Sequence, residues 1–107
     1  MKKSDKFQTF DDYMYEYLQN PEESSAYLEA ALKEYEQDGD TRSLMIAIQR
    51  VAEAKGGITE LARKTHLNRQ NLYRIFSNQV SPRFDTLSKI LRALGYTVSF
   101  KKLANVS

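Results

Sequence analysis

The stretch HLNRQNLYRIF, His66 to Phe76, sets two arginines, two asparagines, a glutamine and a tyrosine around three aliphatic residues and a phenylalanine. Leu67, Leu72 and Ile75 or Phe76 fall on one side of a helix begun by Asn68, and Arg69, Gln70, Asn71, Tyr73 and Arg74 fall on the other. Two readings fit: a polar face solvated above a core, or a helix that reads bases.

The residues just upstream bear on the choice. ITELARKT (58–65) reads as a two-turn helix with Thr59 available as its cap, and only a tight turn separates it from the next helix. Two short helices joined in this way, with aliphatic residues on their inward faces, form the helix-turn-helix arrangement. Leu61 and Ala62 face inward on the first, and small Ala62 lets the second cross closely. A second helix so placed contacts base edges through residues near its N-terminal end. Arginine can donate two hydrogen bonds to guanine N7 and O6, and asparagine or glutamine can pair bidentately with adenine N6 and N7. Thr59, Arg63 and Lys64 on the first helix would lie near the phosphate backbone, positioning without specifying, and Arg83, Lys89 and Arg92 extend the basic surface.

Outward from this pair, helical periodicity continues. In TFDDYMYEYL the set Phe10, Tyr13, Met14, Tyr17 and Leu18 has helical spacing, with Thr9 as N-cap. Asn20-Pro21-Glu22-Glu23 supplies a cap, a proline for the first helical position and carboxylates near the positive end of the dipole. The helix that follows is expected to bury Leu28, Ala31, Leu32 and Tyr35 and to end near Gly39. Asp40 caps a third helix with Leu44, Ala47, Ile48 and Val51 on one face, and Gly56-Gly57 stops it. Ser81-Pro82 opens a last helix in which Phe84, Leu87, Ile90, Leu91 and Leu94 repeat until Gly95. YTVSF (96–100) alternates and is rich in β-branched and aromatic residues, so it reads as a strand. A single strand cannot satisfy its own edges, so it would pair with another copy of the chain or with a partner.

The chain has 107 residues and no cysteine, which excludes disulfides, thiolate metal sites and thiol nucleophiles and suits a reducing compartment. MKKSDKFQTFDD lacks the apolar core of a signal peptide and no stretch reaches membrane-spanning length, so a cytoplasmic, soluble protein is expected. The net charge of +2 conceals an asymmetry. The first 40 residues hold four lysines against eleven Asp or Glu, a net of −7, and the remaining 67 hold twelve Lys or Arg against three acids, a net of +9. An acidic segment can face a basic protein and a basic segment can face phosphate, although two solvated surfaces would show the same asymmetry.

LARKTHLNRQNLYRIFS and SPRFDTLSKILRALG resemble the phage-repressor type of helix-turn-helix, and more narrowly the HigA-like probable addiction module antidote proteins. FDDYMYEYLQNPEESSAYLEAALKE resembles that family's opening, AIQRVAEAKGGITELARKT its middle and NLYRIFS its recognition segment, so the resemblance covers about residues 10–100. It implies an antitoxin of a type II toxin–antitoxin pair that binds a RelE/HigB-like, mRNA-cleaving toxin and represses its own operon as a homodimer on double-stranded operator DNA. Carried over by position, Arg69, Gln70, Asn71, Tyr73 and Arg74 are recognition-helix residues, with Asn68 at the helix start. His66 stands where the family turn usually has glycine, a position that tends to need positive φ. Asn68 replaces a more usual serine, one N-cap for another, and Gln70 stands where the family often has an acid.

Five tyrosines lie in the acidic segment. Tyr13, Tyr17 and Tyr35 sit on apolar stripes, where core packing is the expected role. Tyr15 and Tyr27 lie off or beside those stripes, and exposed tyrosine among carboxylates suits a protein interface. Tyr13, Tyr15, Tyr17 and Tyr27 are the candidate toxin contacts. His66 has no Asp, Glu or Cys at ligand spacing, so it reads as a turn residue and no metal or other cofactor is expected. With no glycine-rich phosphate loop, paired carboxylates or serine elbow, an enzyme is not expected. The expected architecture is all-α, a lambda-repressor-like helix-turn-helix domain of five or six helices with a short C-terminal strand. Its acidic region spans 1–39 and its DNA-binding region 40–107. Two alternatives stay open: a stand-alone transcriptional regulator, and a protein-interaction module whose scaffold no longer reads DNA.

Overall fold

The computed structural model describes residues 9–104, which form six α-helices. These are α1 (Phe10–Tyr17), α2 (Pro21–Asp38), α3 (Thr41–Ala54), α4 (Gly57–Thr65), α5 (Arg69–Phe76) and α6 (Phe84–Ala93). Cap chemistry explains most boundaries. Thr9 Oγ1 accepts from the Asp12 N–H at 3.0 Å and the Asp12 carboxylate accepts from the Thr9 N–H, a reciprocal capping box. Asn20 Oδ1 accepts from the Glu22 N–H at 2.8 Å, with Pro21 as the first helical residue. Gly39, left-handed at φ 71°, ends α2, and Asp40 Oδ1 accepts from the Arg42 N–H at 2.9 Å to start α3.

Two boundaries differ from expectation. Thr59 is not a cap; it is the third residue of α4 and exposed. Gly56 (φ 118°) and Gly57 (φ 89°) take a path open to glycine, so the helix begins before Thr59 is reached. Ser81 and Pro82 do not open α6. Arg83 is extended, at φ −69° and ψ 158°, so the helix starts at Phe84, and Asp85 Oδ1 accepts from the Thr86 N–H at 2.8 Å.

One hydrophobic cluster joins Met14 and Leu18 of the α1 segment, Met45, Ile48, Val51, Ala52 and Ala54 of α3, Ile58 and Leu61 of α4, Leu72, Ile75 and Phe76 of α5, and Ile90 and Leu94 of the α6 segment. It draws from both sides of the Gly39–Asp40 junction. Central α3 packs against α1, α2, α4 and α5, and α4 also packs against α5 and α6. Buried Ser24 donates from Oγ to the Leu18 carbonyl at 2.7 Å, and Gln19 Nε2 donates to the Ala54 carbonyl at 3.1 Å, so the α1–α2 turn is tied to α2 and to the end of α3.

The N-terminal stripes are narrower than their spacing suggests. At about 100° per residue, Ser24, Ala31 and Tyr35 line up within about 40° and Leu32 lies about 80° from Ser24. Leu32 is accordingly exposed, whereas Tyr27 and Leu28 are half-buried against the core. On α1 only Met14 is buried, followed by Leu18 at the C-cap; Phe10, Tyr13 and Tyr17 are exposed and do not pack into the core. Phe84 is exposed as well.

The all-helical reading agrees with the structure. The C-terminal strand does not appear: among the described residues there is no strand, and residues 96–103 run without helix or turn. A ladder needs a second strand, and the described chain supplies none.

Candidate nucleic-acid interface

The junction between α4 and α5 is built from local hydrogen bonds. Thr65, buried, donates from Oγ1 to the Leu61 carbonyl at 2.8 Å and accepts from the Leu67 N–H at 3.2 Å. His66 ends α4 in the left-handed region, φ 61° and ψ 24°, its N–H donating to the Ala62 carbonyl at 2.8 Å. Positive φ at this histidine is the conformation its turn position calls for. Leu67 packs against the core, and Asn68 begins α5 with Oδ1 accepting from the Gln70 N–H at 2.7 Å and the Asn71 N–H at 3.2 Å. With that oxygen committed to the cap, only the Asn68 amide NH2 remains for an outside acceptor.

On α5, Leu72, Ile75 and Phe76 are buried together. Both candidates for the third anchor, Ile75 and Phe76, serve. From Arg69 the helical advance places Tyr73, Gln70 and Arg74 within one arc of about 140°, and all four are exposed. Asn71 falls about 60° beyond this arc and is half-buried. Arg69 and Arg74 make no ion pair among the described residues, so their guanidinium groups are available to an anion or a base edge. Positive charge here is held on a helix anchored by three core side chains, so the backbone that presents it is ordered before a ligand arrives.

The flanking basic residues are held differently. Arg63 donates from Nε to Glu60 Oε1 at 3.0 Å and from Nη2 to Glu60 Oε2 at 2.5 Å, and this pairing holds the Glu60 carboxyl below the usual carboxylate range. Arg83 Nε lies 3.3 Å from Asp85 Oδ1. Lys64 and Thr59 are exposed on α4. Glu60 and Asp85 had no place among the expected site residues. Glu60 to Arg63 is a three-residue helical spacing and is legible as a pair; the Arg83–Asp85 pair straddles the true start of α6 at Phe84, which the Ser81-Pro82 signal does not mark.

The acidic end presents a second surface. Tyr13 and Tyr17 stack with ring centroids 5.9 Å apart at 17°, and the Tyr17 hydroxyl donates to Glu23 Oε1 at 2.6 Å, which raises the phenol's pKa above its ordinary value. Tyr15 is 52% exposed on the other flank of α1. Arg50 of α3 lies over the Phe10 ring at 4.8 Å and pairs with Asp11 at 3.2 Å, bracing α1 from below. Of the four tyrosines nominated as contacts, Tyr13, Tyr15 and Tyr17 are exposed on α1, and Tyr27 is set apart by packing on the core.

A family model described as "Probable addiction module antidote protein" matches residues 6–102. The chain belongs to that family. An antidote acts on a toxin, so the family description itself carries a partner of that kind. No curated protein and no solved structure matches the chain significantly. Among the described residues of this antidote-family protein, no helix is long and apolar enough to cross a membrane, and no group of three or more His, Cys, Asp or Glu could hold a metal ion.

Proposed function

We propose that the chain is the antitoxin of a type II toxin–antitoxin pair, which restrains a RelE/HigB-like toxin through its acidic N-terminal region and binds operator DNA as a homodimer to repress its own operon. On this reading α4 and α5 are a lambda-repressor-type helix-turn-helix. Arg69, Gln70, Tyr73 and Arg74, with Asn71 at the margin, face base edges, while Thr59, Arg63, Lys64, Asn68 and Arg83 lie toward phosphates. The observation that carries it is the arc of exposed arginine, glutamine and tyrosine at the start of a short capped helix, in a chain of the antidote family. Tyr13, Tyr15 and Tyr17, exposed among Asp11, Glu16, Glu22 and Glu23, support the toxin arm, because aromatic groups rimmed by carboxylates suit a basic protein surface. Tyr27 would contribute from the core side.

The pairing of Arg63 with Glu60 and of Arg83 with Asp85 favours a second reading, a protein-interaction module that no longer reads DNA. Co-expression with the adjacent reading frame separates the two. The proposal expects rescue of growth from the neighbouring gene product together with repression of the shared promoter. Rescue without repression would leave the interaction module, and neither effect would remove the antitoxin reading.

A further inference from the structure

Tyr96 is half-buried against the core, and Val98 two residues on is 38% exposed. The Tyr96 N–H donates to the Leu91 carbonyl at 2.8 Å, its hydroxyl accepts from Ser25 Oγ at 3.4 Å, and Lys55 Nζ lies 5.9 Å from its ring centroid. Beyond Tyr96, no backbone hydrogen bond engages residues 97–103 among the described residues. Along an extended segment, successive N–H groups point to opposite edges. The alternating, β-branched and aromatic sequence YTVSF suits an extended backbone; with the Tyr96 N–H turned into its own domain, the N–H and C=O groups of Thr97 and Ser99 would then lie on the open edge. In that conformation the side chains of Tyr96, Val98 and Phe100 share one face, and Phe100 is 92% exposed.

We propose that this edge pairs antiparallel with the same edge of a second copy of the chain, in the register that sets Val98 opposite Val98. It rests on the two-fold arrangement proposed above and names its surface. In this register Thr97 and Ser99 exchange backbone hydrogen bonds with Ser99 and Thr97 of the second copy, using the open edge. Tyr96 meets Phe100 across the pair in both directions, so each exposed Phe100 is laid beside a tyrosine already anchored on the other copy's core. Lys101 and Lys102 then fall opposite Gly95 and Leu94, and no lysine faces a lysine. Moving the axis to Ser99 would instead place Tyr96 opposite Lys102 and Thr97 opposite Lys101, losing the aromatic match. A two-stranded ribbon alone is marginal in water; the Phe100–Tyr96 contact ties it to both cores. The contact is isologous and closes on itself, which limits assembly to a dimer.

The 107-residue chain has no cysteine, so Val98→Cys carries a single thiol. Non-hydrogen-bonded antiparallel partners have Cα atoms about 4.5 Å apart, inside the range of about 4.4–6.8 Å that a disulfide spans. Under mild oxidation without toxin or DNA, V98C should form a covalent dimer far faster than Thr97→Cys or Ser99→Cys. Val98→Lys, which puts like charges on the axis, should be monomeric by light scattering where the natural chain is dimeric. A dimer that survives V98K and is not trapped by V98C, or that S99C traps instead, would overturn this interface while leaving the two-fold reading intact. A natural chain that is monomeric would overturn both, as would pairing seen only when the toxin is added.

Discussion

The Arg63 guanidinium lies against the Glu60 carboxylate one helical turn away, joined through both Nε and Nη2. Arg63 is proposed to meet phosphate, and Glu60 is its competitor for the same donors. Glu60→Gln should therefore strengthen operator binding and steepen its salt dependence, whereas Arg63→Ala should weaken binding across all sequences and reduce the log–log salt slope by about 1. Fluorescence anisotropy over a salt series measures both. An unchanged affinity in Glu60→Gln would mean that Arg63 does not reach the backbone.

Arg69 and Gln70 sit in the first turn of α5, exposed and outside the Asn68 cap interaction except through the Gln70 backbone N–H. If they read bases, alanine at either position should cost about 1–3 kcal/mol of discrimination at one base pair. Nonspecific affinity should fall for Arg69→Ala, which loses a charge, and hold for Gln70→Ala. Binding-site selection with each variant checks this, and an unaltered preference in both would move the recognition surface elsewhere.

How legible the molecule was depended on whether a residue acts locally. Thr9, Asn20, Asp40 and Asn68 cap helices because their side chains reach backbone N–H groups two or three residues on, a relation contained within each short stretch. His66 could be placed in the turn because it stands where the resembling family's turn usually has glycine, and its φ of 61° agrees. Side-chain burial on α1 and α2 was less readable. Tyr13, Tyr17 and Leu32 have helical spacing with buried residues, but how wide a stripe is covered depends on what α3 presents opposite, and α3 covers only a narrow arc. Thr59 looked like a cap because threonine often is one. The helix start was decided by the backbone freedom of Gly56 and Gly57 instead. The strand at 96–100 has the right alternation, but a strand is a relation between two segments and the described residues offer no second segment to pair with it.

His66 holds a left-handed conformation without the freedom of glycine. That conformation costs an L-residue roughly 1–2 kcal/mol, part of which glycine loses again through its larger unfolded-state entropy. His66→Gly should raise the midpoint of urea unfolding, by up to about 1 kcal/mol in stability, and His66→Val should lower it. Equal midpoints for all three proteins would show that the turn is not under strain.

Stability should fall in acid for a reason that can be assigned. Hydrogen bonds from Arg42 hold the Asp40 carboxyl below the usual carboxylate range, and those from Arg63 do the same for Glu60. A carboxyl depressed in the folded chain contributes stability that is complete above its unfolded pKa. That contribution is lost as pH falls through the folded value. The thermal midpoint should accordingly be flat near neutrality and decline below the ordinary carboxylate range. Asp40→Asn keeps a capping oxygen but cannot titrate, so its acid decline should be shallower. Melting curves across the acid range test this, and parallel declines for the two proteins would assign the loss to other carboxyls.

Tyr13 and Tyr15 flank α1 on opposite sides of buried Met14. The core contacts of the segment belong to Met14 and Leu18, and both tyrosines are about half exposed, so Tyr13→Ala with Tyr15→Ala should leave the melting temperature nearly unchanged. If α1 carries the toxin contact, truncating two exposed aromatic anchors should weaken that complex by about 2 kcal/mol or more, the scale of an interface hot spot. Operator binding by the double variant should be unaltered, and Arg69→Ala should show the reverse pattern. Titration calorimetry with the product of the adjacent gene, beside anisotropy with operator DNA, reads the two arms separately. Undiminished toxin affinity in the double variant would place the contact off α1, whereas loss of both activities would make α1 a support for the whole domain and not a docking face.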